Sequence, residues 1–325
     1  MQQQTRTPLT SNYHNGIIAV DADYIRPYMA TIHLVKEGDG AEAMGMIVDT
    51  GTSHSVPMLL ATLEEQKLLP EQITLVCLTH IHLDHAGGAG QLMQLFPNAT
   101  LYVHPRGARH MIDPSKLIAG TIGVYGENLY KQLYDEILPI DASRVHEVQD
   151  GDILTFGSRR FELIHTEGHA RHHYCLVDAE NGDAFTGDSF GVSYRETDHP
   201  KNGHFIFPTT TPVHFDVDAA HASIERLMSY DLKHVYLTHY SQRSHLKNCA
   251  QQLHDDLEVY VQLTKQAFGK KDPQDLLEKT LYQHLSERLD KHGFTGDSAA
   301  VKQVIGPDTK LNAAGLMHWA QTTLV

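Results

Sequence analysis

The spacing of apolar residues changes near residue 243 and divides the chain into two parts. Before that point, short apolar runs bounded by turn residues are typical of buried strands. The pattern predicts strands at 17–36, 44–49, 73–80, 100–104 and 234–239, and further hairpins between 145 and 188. Helical spacing interrupts the strands after the glycines at 87–88, over 127–138 and over 215–230.

Three helical stretches follow residue 243. Asp272 and Pro273 are typical of a helix start, and Gly293 is typical of a helix end. We therefore predict an α/β domain over residues 1–243 and a C-terminal helical extension over residues 244–325. The extension is expected to cap a site on the first domain, to form the contact of a homodimer, or simply to pack against it.

Composition and charge exclude several classes of protein. The chain has 325 residues, of which 41% are hydrophobic, and its formal net charge of −14 disfavours binding to nucleic acid. Its three scattered cysteines argue against a disulfide framework. The sequence lacks an apolar run that could span a bilayer, and the polar N-terminal segment lacks the centre of a secretory signal. We expect a soluble, cytoplasmic protein that acts on a small molecule rather than on nucleic acid or a membrane.

The segment THIHLDHAGG, at residues 79–88, concentrates ligand-type side chains. His80 and His82 lie where a predicted strand runs into a loop, and Asp84 and His85 follow before a helix begins. Four side chains can therefore converge on a small volume, and imidazoles with a carboxylate suit a divalent transition-metal ion. The alternative is a loop whose histidines only form hydrogen bonds, because short motifs also arise by chance.

Further ligand-type residues follow other predicted strands. His169, Asp188 and His239 each come directly after a strand, and Asp49 ends an early strand in the same way. In layered α/β proteins, binding sites gather at the carboxyl ends of strands. We therefore expect these residues to meet in one site.

With this order of motifs, the chain resembles the metallo-β-lactamase superfamily. The family's HxHxDH motif corresponds to HIHLDH, and a single His, a single Asp and a last His follow it in the family's order. Over residues 15–240, the resemblance implies a four-layer αββα sandwich in which two mixed β-sheets face each other, with metals at one edge. It also implies two divalent metal ions, for which zinc is expected and iron or manganese are alternatives.

The resemblance implies a role for each ligand-type residue. One metal would be held by His80, His82 and His169. The second would be held by Asp84, His85 and His239, and Asp188 would bridge the two. Asp49, in the sequence VDTG, would orient the ligands through hydrogen bonds without binding metal. Without the resemblance, Asp49 would equally be interpreted as a turn residue before Gly51.

Two metal ions would support hydrolysis. Bound metal lowers the pKa of water from about 15.7 to near 7, so a metal-bound hydroxide can attack a carbonyl or phosphorus centre at neutral pH. Asp84 is a candidate for proton transfer. We predict a binuclear metal-dependent hydrolase of a small ester-type substrate. A thioester or related acyl ester is favoured, and a lactone or phosphodiester is left open.

Parts of the sequence also fit three other functions. An iron-containing protein of the same fold would handle oxygen or sulfur species, since the same ligands hold iron; His82 stands where redox diiron relatives usually carry glutamate. A non-catalytic metal-binding sensor would keep the site for a ligand. GDSFG, at 187–191, also matches the nucleophile elbow GxSxG, but the residues after it do not predict the helix that an elbow requires.

Four residues beside the ligands are candidates for substrate contact. Arg171 and His173 follow one ligand, and Tyr194 and Arg195 follow another. Either arginine could bind a carboxylate or phosphate through two hydrogen bonds, although a structural role is equally expected. The segment 204–215 is restricted by prolines and would either wall the pocket or connect two elements.

Overall fold

The computed structural model describes residues 8–324. The first seven residues of the polar N-terminal segment, and Val325 at the other end, lie outside the described residues. Within the described range, each helix is too short or too polar to cross a membrane.

The first sheet has seven strands in chain order. They are β1 (Thr10–Asn12), β2 (Ile17–Asp21), β3 (Thr31–Glu37), β4 (Met44–Val48), β5 (Ile73–Cys77), β6 (Thr100–Val103) and β7 (Val145–Glu147). Neighbours from β1 to β4 are antiparallel, and those from β4 to β7 are parallel.

The second sheet has six strands in the order β13-β12-β11-β10-β9-β8. Their bounds are β8 (Asp152–Phe156), β9 (Arg159–His165), β10 (Tyr174–Asp178), β11 (Asp183–Gly187), β12 (His234–Leu237) and β13 (Ser241–Arg243). Only β11 and β12 pair in parallel among these neighbours, so both sheets are mixed.

Ten α-helices accompany the sheets in the described residues. They are α1 (Val56–Glu65), α2 (Leu83–Ala86), α3 (Ala89–Leu95), α4 (Pro105–Ile112), α5 (Ser115–Tyr125), α6 (Glu127–Leu133), α7 (Val217–Met228), α8 (Leu246–Ala267), α9 (Pro273–His292) and α10 (Ser298–Thr323). The predicted strand at 17–36 is two strands, β2 and β3, separated by a loop, and the predicted helix at 127–138 ends at Leu133. Helices α1, α4 and α5 were not predicted.

Apolar side chains form three layers of contact. Between the sheets, Val35 and Val48 of the first sheet belong to one cluster with Leu163, Phe185 and Tyr236 of the second. The outer face of the first sheet packs on α1, α3 and α4, and the outer face of the second packs on α7, α8 and α10. The predicted αββα sandwich of two mixed sheets is therefore confirmed.

The C-terminal helices share their apolar contacts with the sandwich. Leu253 of α8 and Leu316 of α10 lie in the same cluster as Ile164 and Val235 of the second sheet. On α9, Leu285 and the residues around it reach the cluster of the first sheet. The division at residue 243 falls between β13 and α8 and stays a prediction, since the helices complete the packing of both outer faces.

We expect Leu316→Ala to lower the free energy of unfolding by about 2–5 kcal/mol, because truncating a fully buried leucine leaves a cavity. Urea unfolding of the whole chain measures this. Leu276→Ala, at a position that is 39% exposed, is the control and should change it by less than about 0.5 kcal/mol. Equal effects of the two substitutions would show that α10 does not belong to the cooperative core.

Candidate metal centre

The centre lies where strands of both sheets end. Asp49 follows β4, and the segment 79–88 follows β5, its parallel neighbour. In the second sheet, Asp188 and His239 follow the parallel pair β11 and β12. Both sheets therefore direct ligand-type side chains to the same edge of the sandwich, as the sequence predicted.

Three histidines form one group of ring nitrogens. The Nε2 atom of His80 lies 2.7 Å from Nδ1 of His82, and Nε2 of His169 lies 3.2 Å from the same Nδ1. Burial, followed by the neighbouring imidazoles, holds the pKa of His80 well below its usual range. Burial also lowers the pKa of His82 to about 3 and lowers that of His169. The three rings are therefore neutral and have lone pairs available for a cation.

A second group contains Asp84, His85 and His239. One carboxylate oxygen of Asp84, Oδ2, lies 3.4 Å from Nε2 of His239 and 3.8 Å from Nε2 of His85. Burial alone would lower the histidine pKa values, yet the carboxylates of Asp188 and Asp84 raise the pKa of both rings. This group therefore favours positive charge between its side chains.

The carboxylate of Asp188 lies between the two groups. Its Oδ2 atom is 3.4 Å from Nε2 of His169, in the first group. Its Oδ1 atom is 3.5 Å from Nε2 of His85 and 3.8 Å from Nε2 of His239, in the second group. Burial would raise its pKa, but the surrounding imidazoles hold the pKa well below its usual range, so the group is ionised.

Hydrogen bonds on the far side of three rings direct Nε2 into the centre. The Nδ1 atom of His85 donates to Asp49 at 2.8 Å, that of His169 to the Thr209 carbonyl at 3.1 Å, and that of His239 to the Met29 carbonyl at 2.7 Å. An imidazole that donates through Nδ1 presents a lone pair at Nε2. These acceptors therefore set the ring orientation that a metal ligand needs.

Two buried atoms of the centre have no hydrogen-bond partner among the described residues: Nε2 of His85 and Oδ1 of Asp188. Buried polar atoms are normally hydrogen-bonded, so these two require another explanation. Ligand atoms about 2.0–2.2 Å from a tetrahedral ion lie roughly 3.3–3.6 Å apart. Several separations in the centre fall near that range, so the residues fit divalent metal ions.

Asp49 lies behind the ligands, with its carboxylate fully buried. It accepts hydrogen bonds from the backbone N–H of Thr79 at 2.8 Å, from the Thr79 hydroxyl at 2.9 Å and from the Thr238 hydroxyl at 2.7 Å, besides the one from His85. It thus joins the segment after β5 to the segment after β12. This position matches the orienting role that the resemblance implies.

His173 occupies a different position from the predicted substrate contact. The ring is fully buried, its Nδ1 lies 2.9 Å from the Thr166 hydroxyl and 3.0 Å from the Ser189 hydroxyl, and its Nε2 accepts from the backbone N–H of Asp188 at 3.2 Å. Both nitrogens are engaged, so His173 supports the loop that carries Asp188.

The residues after Ser189 do not form a helix, which excludes a nucleophile elbow.

Tyr194 and Arg195 also have structural contacts where substrate contact was predicted. Tyr194 is buried and donates to Asp308 at 3.1 Å, while the Arg195 guanidinium donates to Ser11 and Tyr13. The guanidinium of Arg195 is therefore already occupied. Arg171 is exposed; burial, followed by the charge of Arg171, lowers the pKa of the neighbouring His214. A role of these residues in substrate binding stays a prediction.

Helix α10 reaches the centre through residues that the sequence did not identify. Asn312 accepts from the backbone N–H of Thr210 at 2.8 Å and donates to the Pro208 carbonyl at 3.0 Å. The segment that it holds includes Thr209, the acceptor for His169. Asp308 is buried near His239, and burial raises the pKa of its carboxyl to about 6. These contacts span about 100 residues, and no local motif signals them.

His172 is another residue beside the ligands that was not predicted as part of the site. Its ring lies 6.1 Å from that of His80 and 5.4 Å from that of His82, and its Nδ1 is buried without a hydrogen-bond partner in the described residues. It precedes His173 directly in the chain, in the sequence RHHY, and the rings of both residues lie beside the ligands: that of His173 is 4.9 Å from the ring of His80.

A family model described as the metallo-beta-lactamase superfamily matches residues 26–239, and the chain belongs to that superfamily. The predicted family is therefore confirmed, and with it the expectation of a divalent metal centre in general terms.

Three relatives are similar over parts of their length. The metallo-beta-lactamase fold-containing protein ST1585 of Sulfurisphaera tokodaii is 29% identical over 58% of this chain and 64% of its own. A hydroxyacylglutathione hydrolase of Xanthomonas euvesicatoria pv. vesicatoria is 30% identical over 46% of this chain and 43% of its own. The atrochrysone carboxyl ACP thioesterase of Emericella nidulans is 28% identical over 55% of this chain and 50% of its own. The matched segments therefore span less than two thirds of each relative.

The solved structure of ST1585 has the same fold. It superposes with a TM-score of 0.62 at 23% identity, covering 94% of this chain and 99% of that one.

We expect Asp49→Asn to weaken metal binding about 10–100-fold, because the amide cannot accept all the hydrogen bonds that orient His85 and the segment after β5. Competition with a chromophoric chelator measures the affinity. Asp39→Asn, at a side chain that is 98% exposed, is the control and should bind metal as the unmodified chain does. An unchanged affinity in Asp49→Asn would contradict the orienting role.

Proposed function

We propose that the chain is a metal-dependent hydrolase of a small acyl ester, with a thioester favoured. In this proposal one ion is held by His80, His82 and His169, a second by Asp84, His85 and His239, and Asp188 contacts both. The observation that carries the proposal is the buried Asp188 carboxylate, whose two oxygens face different groups of nitrogens. A single ion would leave one of these groups without a cation.

Bound ions of this kind bring the pKa of water to near neutrality and polarise a substrate oxygen. The residues of the chain supply the rest. Asp49, Thr209 and Met29 fix the rings from behind, and the fully buried positions of His80 and His85 exclude bulk water from that side. The ligand geometry is thereby held before substrate arrives, which lowers the reorganisation needed during reaction.

Asp84 is the residue best placed to move a proton. Its side chain is 21% exposed, whereas that of Asp188 is 6% exposed, so Asp84 is the more accessible of the two carboxylates in the centre. Burial would raise the pKa of Asp84, but His85 and His239 outweigh it and hold the pKa below its usual range. The carboxylate is therefore ionised, and we propose that its oxygen other than Oδ2, which faces His85 and His239, takes up a proton transiently during turnover.

Three tyrosines, Tyr24, Tyr125 and Tyr134, form an aromatic wall near Asp84. Such a wall favours an acyl group as part of the substrate. The hydroxyls of Tyr24 and Tyr134 are 3.0 Å apart, and the ring of Tyr125 lies 6.0 Å from that of Tyr134. After burial, the charge of Asp84 is the main cause that raises the pKa of Tyr24, so this phenol is near the centre. Helix α5 adds partly buried apolar side chains to the same cluster: Leu117, Ile118 and Ile122.

The names of two relatives support the choice of bond. One is a hydroxyacylglutathione hydrolase and another is an acyl-carrier-protein thioesterase, so acyl-transfer substrates are associated with similar sequences. Lactones and phosphodiesters are the substrates against which thioester hydrolysis by this chain has to be compared. Zinc is the proposed metal, and the same nitrogen and oxygen ligands would also accept iron or manganese.

We expect protein purified without added metal to contain zinc and to hydrolyse thioesters faster than lactones or phosphodiesters. Removal of metal with a chelator should abolish turnover, and added Zn²⁺ should restore it, because the ligands fit divalent ions. Elemental mass spectrometry and a thiol-release assay measure the two quantities. A fully metallated chain that turns over no ester would instead favour a binding protein. Predominant iron together with oxygen consumption would favour the redox function.

We expect Asp84→Asn to reduce kcat for the best thioester by at least about 10²-fold, since the amide loses both the negative charge and the capacity to accept a proton. Asp39→Asn, at a side chain that is 98% exposed, is the matched control and should leave kcat unchanged. Steady-state kinetics at several pH values measure both variants. Wild-type kcat in Asp84→Asn would remove this residue from the proposed mechanism.

A further inference from the structure

A second group of ligand-type side chains lies at the opposite ends of the strands that carry the centre. Asp183 is the first residue of β11, His234 is the first residue of β12, and the two are register partners in this parallel pair. Asp188 and His239 come five positions later on the same two chain segments. At about 3.3 Å per residue, roughly 16 Å separates the two groups.

Three ligand atoms of this group have the separations of a metal site. Oδ1 of Asp183 lies 3.1 Å from Nε2 of His14 and 3.4 Å from Nδ1 of His234, and the two imidazole rings are 4.6 Å apart. In the metal centre, Nε2 of His169 lies 3.4 Å from Oδ2 of Asp188 and 3.2 Å from Nδ1 of His82. The spacing at the far end of the strands is therefore the same as at the centre.

Hydrogen bonds do not account for all three side chains. Nδ1 of His234 is buried and has no hydrogen-bond partner in residues 8–324, although it faces the Asp183 carboxylate. The Asp183 carboxylate is fully buried, and its other oxygen, Oδ2, accepts from the Asn15 amide at 2.9 Å and lies 3.9 Å from Arg159. The Oδ1 atom is thus left to the two imidazoles, where a cation would satisfy the buried nitrogen.

We propose that His14, Asp183 and His234 bind a divalent ion of the Zn²⁺ class, separate from the metal centre. Two imidazoles and one carboxylate are ligands that this class of ion prefers. The His14 side chain is 41% exposed, so solvent reaches the group and water can complete the coordination.

The position of the group indicates a stabilising role for the ion. His14 lies in the turn between β1 and β2 of the first sheet, whereas Asp183 and His234 belong to the second sheet. A shared ion would therefore link the two sheets at the end of the sandwich that is remote from the metal centre. An ion that binds the folded chain more tightly than the unfolded chain raises the stability against unfolding as its free concentration rises.

Equilibrium dialysis of the full chain against Zn²⁺, followed by elemental mass spectrometry, tests this proposal. We expect His14→Gln and His234→Gln each to hold one zinc ion fewer per chain than the unmodified protein. We also expect a range of Zn²⁺ concentrations in which the melting temperature of the unmodified chain rises. In the same range, the melting temperatures of the two variants should stay constant. Both readouts are differences between variants and do not depend on catalysis.

His146→Gln is the matched control. His146 faces Asp152 at 3.9 Å in an exposed pair, and this control should bind as much zinc as the unmodified chain. His14 is partly exposed, so its variant is expected to fold, and an unchanged melting temperature without zinc verifies this. Equal zinc content in all four proteins throughout the titration would overturn the proposal. So would a loss in His146→Gln as large as that in His14→Gln.

Discussion

The buried carboxylate of Asp188 is the group on which the site depends. A charge removed from water is unfavourable unless neighbouring groups compensate it, and here three imidazole nitrogens lie within 3.8 Å of its two oxygens. Those nitrogens come from three separate chain segments, each following a strand. The sandwich therefore has to bring both sheets into register at one edge before the charge of Asp188 is compensated.

Hydrogen bonds behind the ligands couple the two sheets. Asp49 joins the ends of β5 and β12 through Thr79 and Thr238, so one carboxylate connects both sheets directly behind the ligands. Helix α10 acts from further away, because Asn312 holds the segment whose Thr209 carbonyl orients His169. The C-terminal helices thus contribute to ligand geometry as well as to packing.

The αββα fold followed from the resemblance to the superfamily, whose motifs are local, and the ligand-type residues of those motifs lie together at one edge of the sandwich. HIHLDH, and single ligand-type residues at strand ends, depend only on short spacing and on the rule that sites gather where strands end. The surroundings of the site were not predicted. Tyr194 and Arg195 were interpreted as substrate contacts, but Asp308 on α10 and the N-terminal strand residues Ser11 and Tyr13 occupy them, and such pairings across the chain leave no periodic pattern.

In the proposed site, Asp188 lies between two metal ions. The most direct test is a crystal structure of the purified chain, with anomalous diffraction recorded on both sides of the zinc absorption edge. The account predicts two zinc peaks beside Asp188, one next to His80, His82 and His169 and the other next to Asp84, His85 and His239. A single peak, or no peak, beside the Asp188 carboxylate in fully metallated protein would contradict it.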